Sequence, residues 1–319
     1  MSKSANASAT FLSRVICLFL IAGAGACLAQ DLAPLRGQYG PGFNATNSGV
    51  MPGPGITYSN TFMDYSFNEL VCPHCDTAGT AANKLSTAVL VDMNIFMWVS
   101  KYKILGADYG VVAGLPFSNS SLELVGLGPV GGGGGFDDSF YQPLTLGWHL
   151  KRADIMVAYA FFAPTGRYTP GASNNTGAGL WTNAPTAGET FYLTKNRALA
   201  FSAYQMYEFH TTQQGTNIHP GQTFDLDYSL TQILPLKKDM STLLQIGWVG
   251  YGQYQTSNNS GPNVNPNIPG HYLVNAMGVG ANVILPARKA AVGFKWLHEF
   301  ANSNTVQGYS LQINAGITF

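Results

Sequence analysis

Hydrophobic and polar side chains alternate along most of this chain, in stretches separated by two kinds of connection that themselves alternate. One kind is short and basic: Lys101/Lys103, Lys151/Arg152, Lys195/Arg197, Lys237/Lys238 and Arg288/Lys289, which together hold ten of the sixteen Lys and Arg residues. The other is long, uncharged and rich in Gly, Asn and Ser. A period of two predicts strands. Strands of this length, joined alternately by tight and long connections, predict an all-β fold. It is a transmembrane antiparallel up-and-down β-barrel with short periplasmic turns and long external loops.

The expected strands are Ile56–Phe67, Leu85–Ser100, Tyr102–Phe117, Phe140–Leu150, Asp154–Gly166, Leu180–Thr194, Ala198–His210, Thr223–Leu234, Ser241–Gln255, His271–Leu285, Ala290–Ala301 and Thr305–Phe319. That is about twelve, an even number as single-chain bacterial barrels have. The last is the clearest. Tyr309, Leu311, Ile313, Ala315, Ile317 and Phe319 share one face, and Ser310, Gln312, Asn314, Gly316 and Thr318 share the other. A closed barrel sets one such face against lipid and the other against the lumen. The terminal Phe319 resembles the signal read by the barrel-insertion machinery.

The same parity assigns lumen-lining candidates: Asp92, Asn94, Asp108, Glu208, Asp225, Asp227, Lys295, Glu299, Gln312 and Asn314. A charge on the lipid side costs about 2–4 kcal/mol at mid-bilayer for Lys or Arg and less for acids, so these side chains are expected to point inward. They either pair across the interior or touch a solute. Trp148 and Phe319 fall near the short-turn ends, and Tyr254, Tyr272 and Tyr309 near the long-loop ends on expected outward faces. That is the placement of an aromatic girdle.

Composition narrows the classes. Only 10% of residues are charged and the formal net charge is zero, so no basic field exists to hold nucleic acid. Residues 1–29 read as a signal peptide: Lys3 and Arg14 precede an apolar run, Val15–Ala26, too short to span a membrane as a helix, with cleavage after Ala29. Cys27 follows Ala24-Gly25-Ala26 without the Leu-like residue of a lipobox. Residues 30–55 lack any period and form an irregular N-terminal arm, placed in the lumen, ahead of a barrel over 56–319.

Cys72-Pro-His-Cys75 has the letters of a disulfide oxidoreductase site, but such chemistry needs a cysteine at a helix N-terminus. A local Cys72–Cys75 disulfide in an external loop is expected, consistent with an oxidising compartment. Zinc with His74 lacks the four ligands of a structural site, so no metal and no cofactor are expected. Gly126-Leu-Gly128-Pro-Val-Gly131 matches a dinucleotide-binding spacing but runs into Gly132–Gly135 with no helix to open. It reads as a flexible loop. Glu208, His210, Asp225 and Asp227 could cluster near the outer rim as a hydrolase site, though no G-x-S-x-G accompanies them. A structural or adhesin barrel is the third class, with no catalytic residue.

The runs "LGWHL" (146–150), "APTGRYTPG" (163–171), "GLWTNAPTAGETFYLT" (179–194), "YEFH" (207–210) and "GWVGYGQYQ" (247–255) resemble the meta-pathway phenol-degradation family of outer-membrane transporters. That resemblance implies a location in the bacterial outer membrane and a small hydrophobic or aromatic solute. With a twelve-strand bore, a mixed-charge lumen and no nucleotide site, a passive, selective channel is the expected function.

Overall fold

The computed structural model describes residues 36–71, 84–124, 128–264 and 271–319. The signal peptide, Cys27 and the Cys72/Cys75 pair lie outside the described residues. The chain forms β1 (Gly55–Val71), β2 (Lys84–Ile104), β3 (Ala107–Leu124), β4 (Gly128–Phe136), β5 (Ser139–His149), β6 (Ala153–Ala163), β7 (Thr182–Tyr192) and β8 (Leu199–His210). It continues with β9 (Thr223–Pro235), β10 (Leu243–Gln255), β11 (Leu273–Leu285), β12 (Ala290–Glu299) and β13 (Thr305–Thr318). Each pairs antiparallel with its neighbours, and β1 pairs with both β2 and β13, so the sheet closes on itself.

Thirteen strand segments make twelve barrel positions. The near half of β3 pairs with β5, Asp108 opposite Gly147 through Gly114 opposite Phe140. Its far half pairs with β4, Phe117 opposite Phe136 through Leu124 opposite Gly128. β4 and β5 are therefore one wall position, interrupted at Asp137–Asp138. This corrects the reading of Gly128–Gly135 as a flexible loop. Its glycines, Gly131–Gly135, carry no side-chain alternation from which a period could be read, yet their backbone pairs with Ser118–Leu122 of β3. A Cβ at Gly132 would lie 2.5 Å from the Ser120 carbonyl oxygen, and its φ of +139° is one that L side chains rarely adopt.

The first basic pair also sits differently. Lys101 and Lys103 lie inside β2, and the turn is the two-residue Leu105–Gly106 step, with φ of +52° and +78°. Positive φ at both central residues suits a type I′ hairpin, whose twist matches the flanking strands. The connections at the opposite end are mostly long, but Phe300–Asn304 between β12 and β13 spans only five residues.

Side-chain alternation follows the closed sheet. Trp248 is 68% exposed beside buried Val249, and Phe294 and Trp296 are exposed on either side of buried Lys295. On β13, Tyr309, Ile313 and Ile317 are exposed while Ser310 and Gln312 are buried. Tyr272 departs from its expected outward placement. It is buried, its hydroxyl accepts from the Gly37 N–H at 2.7 Å and lies 2.8 Å from the Thr223 hydroxyl. Its parity is that of inward Val274, one residue out of step with Leu273.

Orientation is checked by labelling intact cells with a membrane-impermeant maleimide, using cysteines placed in a chain whose Cys72 and Cys75 are Ser. Asn174→Cys, in the β6–β7 connection, should react. Met240→Cys, in the β9–β10 turn, should react only after the outer membrane is permeabilised. The reverse pattern would invert the topology.

Candidate functional site

Residues 36–51 run down the inside of the barrel from the long-loop end toward the short-turn end before β1 begins, and a set of buried polar side chains of the wall bonds to them. At the far end, Glu299, fully buried at the end of β12, receives Arg36 through two bonds of 2.8 and 3.1 Å. The same carboxylate accepts from the Tyr65 and Tyr251 hydroxyls at 2.8 Å, and from Asn302 and the Gly308 N–H at 3.0 Å. A buried charge is tolerated only with its lone pairs filled in this way.

One step lower, Glu208 accepts the backbone N–H groups of Gln38 and Tyr39, each at 2.8 Å. Asp227 accepts the Tyr39 hydroxyl at 2.6 Å and the N–H groups of Gly42 and Asn44 at 2.8 and 2.9 Å. Lys295 donates to the carbonyls of Gly42 and Phe43, and Gln312 donates to that of Pro41 at 3.0 Å. The irregular backbone of the arm cannot satisfy its own donors and acceptors, so the wall supplies partners. Lower still, Asn47 and Gln245 exchange bonds of 2.9 and 3.1 Å. There the arm meets β6 and β7 so closely that a Cβ at Gly49 would lie 2.1 Å from the Asp154 carbonyl, and one at Gly188 2.2 Å from that of Ser48.

The remaining candidates are distributed as follows. Asp225 accepts from Gln253 at 2.7 Å beside Glu208, and its other oxygen has no partner among the described residues. Asp108 lies near the short-turn end, 2.8 Å from Lys103 and 3.4 Å from His149. Asn314 is half-buried, level with Thr61 of β1. Asp92 and Asn94 are a correction: they face outward. Asp92 is the cross-strand partner of exposed Phe62 and Phe117, Asn94 that of Asn60 and Leu115, and cross-strand partners share a face. Their odd-numbered neighbours Val89, Val91 and Met93 line the interior instead. The alternation of this strand points the wrong way: its odd-numbered face, Val89, Val91, Met93 and Ile95, is the more apolar and reads as the lipid side, yet it is the one turned into the barrel.

Sequence reasoning also missed Arg36, Tyr39 and Asp138. A signal existed for Arg36. Inward parity gave Asp92, Asp108, Glu208, Asp225, Asp227 and Glu299 against Lys295 alone, and Arg36 is the one basic residue in the 30–55 arm. Asp138, at the β4–β5 break, accepts from the Gln38 amide at 2.9 Å and from the N–H groups of Gly166 and Ala178 at 3.0 and 2.8 Å. Burial pushes its carboxyl, and that of adjacent Asp137, upward, the latter to about 6.

The arm does not fill the bore. Between it and the β1–β3 wall a cavity of about 490 Å³ remains. Its wall side is mostly apolar, with Met63, Phe67, Val89, Val91, Met93 and Leu122 beside Tyr65, Thr87 and Ser120, and polar groups of the arm and of the β4–β5 break, Arg36, Gln38 and Asp138, face it. An apolar face with a few fixed polar groups is the general make-up of a small-molecule site. Three or more His, Cys, Asp or Glu side chains in metal-binding arrangement are not found among the described residues.

A family model described as "Putative MetA-pathway of phenol degradation" matches residues 75–315. Among solved structures, an outer-membrane channel from Pseudomonas putida F1 is similar at 15% identity, over 88% of this chain and 100% of that one, with a TM-score of 0.68. The β domain of the Bordetella autotransporter BrkA aligns at 10% identity, over 84% of this chain and 100% of that one, with a TM-score of 0.49. The first of these establishes an outer-membrane barrel fold. No curated protein sequence matches the chain.

Replacing Glu299 by Gln leaves Arg36 buried without its counter-charge, a loss of about 3–5 kcal/mol for a buried pair. Because the barrel hydrogen bonds are untouched, the expected result is a barrel that still migrates as a folded species on an unheated gel, with an arm cut faster by trypsin at Arg36. Unchanged cleavage would mean that the ion pair does not hold the arm.

Proposed function

Because the chain belongs to the family described as the MetA pathway of phenol degradation, we propose that it is a passive outer-membrane channel for aromatic or other poorly soluble small molecules. The observation that carries this reading is the inverted wall of β1–β3. There Val89, Val91 and Met93 face the interior beside Met63 and Phe67, where an aqueous porin would present polar side chains. An apolar solute entering this cavity leaves water along Val89, Val91 and Met93, while Glu208 and Asp227 are occupied by the arm. Movement follows the solute gradient, since the described residues of the arm and the wall offer no site for an energy source.

The rival hydrolase reading fares less well on geometry. Glu208 already accepts two arm N–H groups, and His210, 3.6 Å from it, is 2.8 Å from the Thr182 hydroxyl through Nδ1. A general base needs a free lone pair aimed at a nucleophile. The nearest hydroxyl, that of Thr182, is itself buried in the wall.

Uptake of a labelled monoaromatic hydrocarbon at low external concentration tests the proposal in a deletion strain. Wild-type chain should restore uptake. Val91→Asp, which sets a carboxylate into the apolar wall, should restore about tenfold less, the equivalent of about 1.4 kcal/mol, while folding normally. Equal uptake by the deleted and complemented strains would contradict a transport role.

A further inference from the structure

The outward face of β1 and β2 carries a polar cluster that the channel does not use. Tyr58, Asn60 and Asp64 on β1 share this face with Asp92 and Asn94 on β2. The Tyr58 hydroxyl donates to the Asn94 side-chain oxygen at 2.7 Å, the Asn60 amide donates to Asp92 and, at 3.3 Å, to Asn94, and Ser66 donates to Asp64 at 2.9 Å.

Register fixes where this cluster lies. On one side Asn60 is level with Ala315 and Asp64 with Leu311, in the outward row of β13 that also holds Ile313 and Ile317. On the other side Asn94 is level with Leu115 and Asp92 with Phe117 of β3. Asn60 and Asn94 are thus bracketed by apolar rows, while on β3 the outward row turns polar one step beyond Phe117, at Asn119, Ser121 and Glu123. Two other outward polar pairs each have at least one member near a strand end, where the interface is in reach. Gln205 meets Glu189 at 3.1 Å, three residues from the end of β7, and Tyr254 meets Asn275 at 3.1 Å beside the β10–β11 connection. Asp92 lies well inside the 21-residue β2, and an aspartate stem is too short to snorkel to water as Lys and Arg do.

We propose that this face is the contact between two copies of the chain in the membrane. The hydrogen-bonding inventory is self-complementary, which is what a two-fold interface requires. Among the described residues Asp92 accepts a single side-chain bond, which leaves one carboxylate oxygen open. The Asn94 amide donates only a 3.5 Å bond to a backbone carbonyl. A second copy presents the missing donor to each open acceptor. Around the cluster, Phe62, Phe96 and Phe117 are each 40% exposed or more, and they supply the aromatic packing surface typical of an interface core. Burying the stripe between two barrels removes it from lipid, where its polar groups find no partner.

The test uses the full chain in native outer membranes with Cys72 and Cys75 changed to Ser. Asn94→Cys treated with a short bis-maleimide should give a covalent dimer, and Val279→Cys, exposed on β11, should not. Asp92→Leu/Asn94→Leu should keep a folded, heat-modifiable barrel and lower the dimer fraction seen by native mass spectrometry about tenfold, the equivalent of one good hydrogen bond. A monomeric wild-type chain in membranes would overturn the proposal. So would equal cross-linking at positions 94 and 279, cross-linking to a different protein, or a dimer that survives the double Leu change.

Discussion

Because hydrocarbon offers no partner to a free N–H or C=O, the pairing of β1 with β13, Thr57 opposite Thr318 through Val71 opposite Thr305, is the constraint from which the rest follows. Once the sheet closes, alternation forces half of its side chains into a confined interior. Since the lipid-facing half takes nearly all the exposed aromatic and aliphatic residues, the interior inherits the acids, amides and hydroxyls. A wide bore would hydrate them, whereas a bore of twelve positions lined this way gains from a strand of peptide that brings its own donors.

That peptide is the arm, and its composition fits the task. Regular secondary structure would have used up its N–H groups internally. The irregular run Arg36–Met51 leaves those of Gln38, Tyr39, Gly42 and Asn44 free for Glu208 and Asp227. Arg36 offsets Glu299, and Lys295 is satisfied by arm carbonyls, so the acids of the lumen are held mainly by dipoles with few cations. Along β1–β3, where the inner side is mostly apolar, the arm is held at Tyr65, over whose ring Arg36 lies, and a cavity remains. The division of the lumen into an occupied polar side and an open apolar side follows from the distribution of side chains on the wall.

Much of this was legible in the sequence. β13 reads off directly because its two faces differ completely, and Glu208, Asp225, Asp227, Lys295 and Glu299 are buried because each alternates with large apolar neighbours. Alternation misleads where the more apolar face is the inner one. In Leu90–Ile95 it sets Val91, Met93 and Ile95 against Leu90, Asp92 and Asn94, and only the register with Phe62 and Phe117 places Asp92 and Asn94 outward. It fails again at Gly131–Gly135, which has no side chains to alternate, and at Tyr272, where a single residue of phase decides between lipid and lumen. The arm has no period at all, so its contacts emerge only from the three-dimensional packing. Its lone Arg36 was the one clue to a partner among the acids.

The most direct measurement of this account is single-channel conductance in a planar bilayer, comparing the mature chain with one lacking residues 36–51 that still runs as a folded barrel on an unheated gel. If the arm occupies the polar side of the lumen, the full chain should show small unitary currents and the shortened chain currents several-fold larger. Equal currents from the two would contradict an arm held in the bore and would leave the carboxylates of the wall without their principal partner.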